Sequence, residues 1–163
     1  MKEFTKAVLY AYPTIDEMKK AYAEHIRNKA ILSHRHFGPA GDLICYVVGQ
    51  IGKRDKLVWL ESVLNEVMTK LNETERALLR MRYFRKRKAQ DSAAGTIAKW
   101  SESTYFRMQK KLERRVESML IAKGLTEQVF DECFADMEIF RYIAKRLQAK
   151  KEGLNAYEKA TLR

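Results

Sequence analysis

Apolar residues recur every three or four positions along two long stretches in the first half of the chain. Residues 15–32 and 55–71 each carry such a stripe, which predicts two amphipathic helices. Thr14 and Glu17 have the spacing of a capping box, which satisfies the first N–H groups of a helix. The short apolar run of residues 43–48 could be a buried strand or a buried helix. Because no second strand-like segment is present to pair with it, we predict a buried helix.

The second half of the chain has the same period and clearer start and stop signals. Asn72 and Glu75 form a second capping-box pair ahead of a predicted helix. Ser101 is placed to cap another helix that reaches about residue 122, and Gly124 follows it as a left-handed C-terminal residue would. Thr126 then opens what the pattern predicts to be one long last helix with a frayed end. These signals predict an all-α, multi-helix protein.

Composition agrees with that fold class. The 163 residues include two prolines and seven glycines, and 46% of them are hydrophobic, which favours long helices around a real core. The pattern divides the chain into an N-terminal helical region (1–70), a helix-turn-helix module (71–123) and a C-terminal long helix with its tail (124–163).

The two cysteines and the absence of a long apolar run predict where the protein resides. Cys45 and Cys133 both have apolar neighbours, which indicates reduced core thiols and a cytoplasmic protein. The chain shows no signal-peptide core near its start. Its longest apolar run, residues 43–48, is too short to cross a bilayer. We therefore expect a cytoplasmic protein that has no membrane partner.

Positive charge is concentrated in the middle of the chain. The net charge is +11, and residues 71–123 hold 14 basic and 6 acidic side chains, or +8 of that total. Charge of this size and sign indicates a polyanionic partner such as nucleic acid.

The helix that follows Ser101 has two chemically different faces at about 100° per residue. Its apolar face carries Tyr105, Met108, Leu112, Val116 and Met119. A short helix, a tight turn and a second helix of this kind are typical of the helix-turn-helix, whose second helix enters the major groove of double-stranded DNA. The residues expected to read base edges are Ser103, Thr104 and Arg107. Those expected to bind phosphates are Lys110, Lys111 and Arg114, with the upstream run Arg85, Lys86, Arg87 and Lys88.

Two segments of the module, "LNETERALLRMRYF" and "TIAKWSESTYFRMQKKLERRV", resemble the fourth conserved region of sigma-70 family factors. The matching residues are Leu71, Glu75, Arg76, Leu79, Arg82, Tyr83, Phe84, Ile97, Ala98, Ser101, Thr104, Lys111 and Leu112. The resemblance implies that the module binds promoter DNA with its last helix and that the outer surface of the module contacts RNA polymerase. Residues 1–70 show no counterpart of the region that melts promoter DNA. The implied function is therefore that of a phage- or prophage-type transcriptional activator or sigma-like factor.

Other functions are either disfavoured or left open by the sequence. His34, His36 and Cys45 fit no zinc-binding spacing, and no nucleotide-binding loop, nucleophile elbow or paired carboxylate is present. We therefore expect no metal, no cofactor and no enzymatic activity. The apolar stripe of the last helix could close the core or form the seam of a homodimer. Two alternatives stay open, a DNA-recognising small subunit of a phage packaging motor and an RNA-binding antiterminator.

Overall fold

The computed structural model describes residues 1–32, 40–84, 95 and 97–161, with the backbone alone for residue 151 and residues 153–161. All regular secondary structure in these ranges is helical, which confirms the predicted fold class. The elements are α1 (Glu3–Ala11), a 3₁₀ turn (Tyr12–Thr14), α2 (Ile15–Ile31), α3 (Ala40–Thr69), α4 (Glu73–Tyr83), α5 (Glu102–Ala122), α6 (Glu127–Cys133) and α7 (Glu138–Thr161). No described helix is long and apolar enough to cross a membrane.

Helix α1 lies at the centre of the hydrophobic core. The ring centroid of Phe4 on this helix is 6.1 Å from that of Phe130 on α6, and the ring centroid of Tyr10 is 4.9 Å from that of Tyr83 on α4. The helix also packs along α7. One cluster of buried side chains thus draws on residues 1–70, 71–123 and 124–163 alike.

Helices α2 and α3 pack along each other, and the start of α3 differs from the prediction. Residues 43–48 are helical as expected, but they are not buried, since Ile44 is 61% and Val48 is 59% exposed. A helix of 30 residues is about 45 Å long, which exceeds a small core. Burial on α3 therefore begins only at Leu57. The prediction of two core thiols was wrong for Cys45, which is exposed on this segment.

The start of α2 shows why the capping box predicted there was wrong. The Thr14 hydroxyl donates a hydrogen bond to the Ala11 carbonyl at 2.8 Å and makes no cap bond. The chain runs through the 3₁₀ turn directly into α2, so the N–H of Ile15 bonds to the carbonyl of Tyr12. The backbone thus continues from the turn into α2 without a side-chain cap from Thr14. The box at α4 is confirmed, with Asn72 accepting from the Glu75 N–H at 2.8 Å.

The predicted long last helix is broken into α6 and α7. The rings of Phe130 and Phe140 are 5.3 Å apart, whereas ten residues of straight helix would separate them by about 15 Å. The corner between the helices lets these rings and Phe134 bury together in one cluster. Trp59 of α3 stacks on Phe134 from outside, at 6.2 Å. The aromatic stripe thus closes the core of the chain itself.

The remaining end signals are mostly confirmed. Thr126 caps α6 by accepting from the N–H of Val129 at 3.2 Å, and Gly124 has a φ of +85°. The backbone of α7 is helical to Thr161, and fraying of the tail after Gly153 stays a prediction.

Candidate nucleic-acid interface

Helix α5 begins at a capped turn, as its sequence predicts. Ser101 is extended, with φ −65° and ψ 154°, and its Oγ accepts a hydrogen bond from the Thr104 N–H at 3.2 Å. Ile97 ahead of the turn is buried, and Trp100 is half-buried against the core. Ala98 is exposed, so it does not lie where two helices cross. The apolar side chains at 97 and 100 therefore fix the position at which α5 starts.

The inner face of α5 packs on α3 and the core. Leu112, Val116 and Leu120 are buried, and Tyr105 and Met108 are half-buried against the core cluster. The apolar face predicted from the spacing is confirmed. The opposite face of α5 consequently points to solvent.

Four cations on that outer face form what we call the cationic strip. They are Arg107, Lys110, Lys111 and Arg114. All four are exposed, and none has an acidic partner among the residues that the structure describes. Ser103 is exposed beside them, whereas Thr104 is half-buried and its hydroxyl accepts a hydrogen bond from Ser101 at 2.9 Å. The side chain of Thr104 is thus partly committed to the cap.

Arg115 lies on the same helix but, unlike the four cations of the strip, it is bound to other residues of the chain. Its guanidinium forms an ion pair with Glu75 of α4 and donates to the carbonyl of Lys70. Since Glu75 also completes the capping box of α4, this side chain links the two helices.

A second link between α4 and α5 is a buried carboxylate that the sequence analysis missed. Glu113 accepts from the Tyr83 hydroxyl at 2.7 Å and from the Gln109 amide at 3.3 Å. Arg82 Nε lies 3.3 Å from the same carboxylate. Burial, together with the hydrogen bond to Glu113, raises the pKa of Tyr83 well above its usual value. At about 100° per residue, Glu113 lies between Val116 of the apolar face and the cationic strip. A carboxylate so close to the apolar face was the feature of the sequence that could have indicated it.

Phe106 is the one bulky apolar side chain of α5 that lies exposed near the start of that helix, and 51% of it is accessible. Its ring meets that of Tyr105 edge-on, with centroids 5.6 Å apart and an interplanar angle of 79°. Its spacing, which places it away from the apolar face, left two roles open in the sequence, a contact with DNA or packing against a neighbouring helix.

Several other predicted positions lie outside the described residues. These are the basic run Arg85, Lys86, Arg87 and Lys88, and the histidines His34 and His36. Within the described ranges, no group of three or more His, Cys, Asp or Glu side chains could hold a metal ion. The described part of the candidate interface therefore consists of α5 and its capped start.

Comparison of the chain with protein-family models, with curated proteins and with solved structures gave no match.

Proposed function

We propose that the protein binds double-stranded DNA in a sequence-specific manner through α5 and regulates transcription, in the manner of a sigma-like factor of phage or prophage type. The observation that carries this proposal is the cationic strip, four exposed cations without acidic partners in the described structure. Cations that have no partner to exchange can bind phosphates without first breaking an ion pair.

The dimensions of α5 suit a DNA groove. An α-helix with its side chains is about 10–12 Å across, and the major groove of B-DNA is about 12 Å wide and admits one α-helix. Arg107 and Arg114 are seven residues apart, so the strip extends about 10 Å along the helix axis. In this arrangement Ser103 and Arg107, on the first turns of α5, reach base edges. Lys110, Lys111 and Arg114 bind the phosphates along the groove.

The partner RNA polymerase is proposed from the sequence resemblance alone. In that resemblance the surface of the module that faces away from DNA contacts the enzyme. Pull-down of purified polymerase by the protein on a DNA site tests this separately from DNA binding.

Selection of bound sequences from a random duplex pool is the first test of the proposal. We expect one enriched site, and we expect Arg107→Ala to weaken that site more than random DNA, by about 5-fold to 150-fold. Arg107→Lys should bind random DNA normally yet lose part of the preference, because it keeps the charge and loses the two-pronged donor. Equal losses on both DNAs would refute a base-reading role for Arg107.

Salt dependence tests the phosphate contacts. Substitution of Lys110 and Lys111 together by alanine should reduce the slope of log K against log salt by about 2. The double variant Lys145→Ala/Lys150→Ala, which removes the same charge from exposed positions on α7, should leave the slope nearly unchanged. Equal effects of the two double variants would show that net charge, and not the strip, attracts DNA.

The two alternative functions predict different results in the same experiments. A packaging-motor subunit should form rings of many copies in light scattering, whereas a regulator should be a monomer or a dimer. An antiterminator should prefer RNA when duplex DNA and RNA compete for binding.

A further inference from the structure

Phe106 interrupts the otherwise polar surface at the start of α5. About half of the residue is accessible, although neighbouring Tyr105 and Met108 pack against the core. The half of the ring that faces water gains no free energy from burial. That half therefore does not stabilise the isolated chain.

Helix geometry places this ring within the proposed DNA-binding surface. Ser103 precedes it by three residues and Lys110 follows it by four, which are the two spacings that bring side chains together on one face. Arg107 is the next residue along the chain. A ligand that contacts Ser103 and Lys110 at once therefore also covers Phe106.

One contact orients the ring in the free chain. Its edge meets Tyr105, which is itself half-buried against the core. Each such contact made before binding reduces the conformational entropy that is lost when the ring meets a partner.

We propose that Phe106 is a specificity-determining residue that contacts the 5-methyl group of a thymine in the major groove. This inference rests on the proposed DNA-binding function. The methyl group of thymine is the apolar group that the bases present in that groove, and phenylalanine is among the side chains that contact it. The bound site therefore contains a thymine next to the base pair read by Ser103 or Arg107.

Uracil substitution tests the contact, because it removes the methyl group and leaves base pairing intact. In the selected site, each thymine is replaced in turn by uracil and the affinity of the full-length protein is measured. We expect one position at which the wild type loses about fourfold, the value for burial of a single methyl group. Phe106→Ala should bind both versions of that position equally.

Two further variants control for folding and for general apolar effects. Phe106→Leu keeps an apolar side chain and should keep part of the preference for thymine over uracil. Met81→Ala removes an apolar side chain that is 53% exposed on α4 and should keep the full preference. Circular dichroism and thermal unfolding establish that each variant is folded before its affinity is measured.

The outcomes separate this inference from the proposed function. A site that binds well but contains no thymine sensitive to uracil would overturn the role of Phe106 and leave DNA binding intact. So would an undiminished thymine preference in Phe106→Ala. If the wild type selects no duplex at all, the proposed function fails at the first step and the inference fails with it.

Discussion

Removal of the Glu113 carboxylate should destabilise the contact between α4 and α5 more than any exposed acidic substitution. In Glu113→Ala, the hydroxyl of Tyr83 loses its acceptor while its residue stays 3% exposed. An unsatisfied buried hydroxyl costs about 1–3 kcal/mol. The side chain of Arg82 is 38% exposed, so its lost ion pair adds only about 0–1 kcal/mol. Together these ranges span about 1–4 kcal/mol, and we expect a loss near their middle, about 2–3 kcal/mol.

Glu113→Gln distinguishes the hydrogen bond from the charge. Its amide oxygen can still accept from Tyr83, and only the negative charge beside Arg82 is lost, so the expected loss is about 1 kcal/mol. Urea unfolding followed by circular dichroism at 222 nm gives the free energies of unfolding. For a chain of this size, the loss in Glu113→Ala should also lower Tm by about 4–12 °C. Glu24→Ala, at an exposed position on α2, serves as the control and should change little.

A double-mutant cycle with Tyr83→Phe then isolates the pair. If the hydrogen bond between the Tyr83 hydroxyl and the Glu113 carboxylate carries the effect, the losses in free energy of unfolding of the two single variants should sum to more than the loss of the double variant. The expected difference is about 1 kcal/mol or more. A free energy of unfolding for Glu113→Ala within 0.5 kcal/mol of the wild type would refute the reasoning. Additive losses would assign the effect to packing alone.

Two other predictions concern alkaline pH and the end of α5. Because burial and Glu113 raise the pKa of Tyr83, the folded chain keeps a proton that the unfolded chain releases above about pH 10. The contribution of protonated Tyr83 to the free energy of unfolding is complete below pH 10 and is lost as the pH rises. Tm of the wild type should therefore fall more steeply than that of Tyr83→Phe between about pH 10 and 11. Parallel curves of Tm against pH would contradict this. Gly124→Ala should lower the free energy of unfolding in urea by about 1–2 kcal/mol, because φ is +85° there. No atom lies within 4 Å of the added Cβ, so the loss comes from backbone strain and not from a clash. Gly124→Asn should lose less, and an unchanged urea midpoint in the alanine variant would count against strain.

The features best predicted from the sequence were those that depend on residues close to one another along the chain. The cap at Ser101, the box at Asn72 and the left-handed Gly124 depend on side chains within one helical turn. The two faces of α5 were also predictable, because burial of a helix follows its own apolar period.

Most errors arose where distant parts of the chain decide the outcome; the capping box at Thr14 instead failed for a local reason, the 3₁₀ turn that runs into α2. The corner between α6 and α7 exists because Phe130 and Phe140 share a cluster, which no local pattern reveals. Exposure of residues 43–48 follows from the length of α3 relative to the core. In the candidate site, the strip was predictable from spacing. Glu113 was missed because its partner Tyr83 lies 30 residues earlier.

The chain's two tryptophans lie at sites that report on different events. Trp59 stacks on Phe134 at the corner between α6 and α7, whereas Trp100 immediately precedes the residue that caps α5. In a Trp59→Phe variant, all indole fluorescence comes from the turn in front of the cationic strip. Ligand titrations can then be followed by intrinsic emission at that turn, without an attached dye. The reciprocal Trp100→Phe variant confines the signal to the aromatic corner and so monitors unfolding of the core.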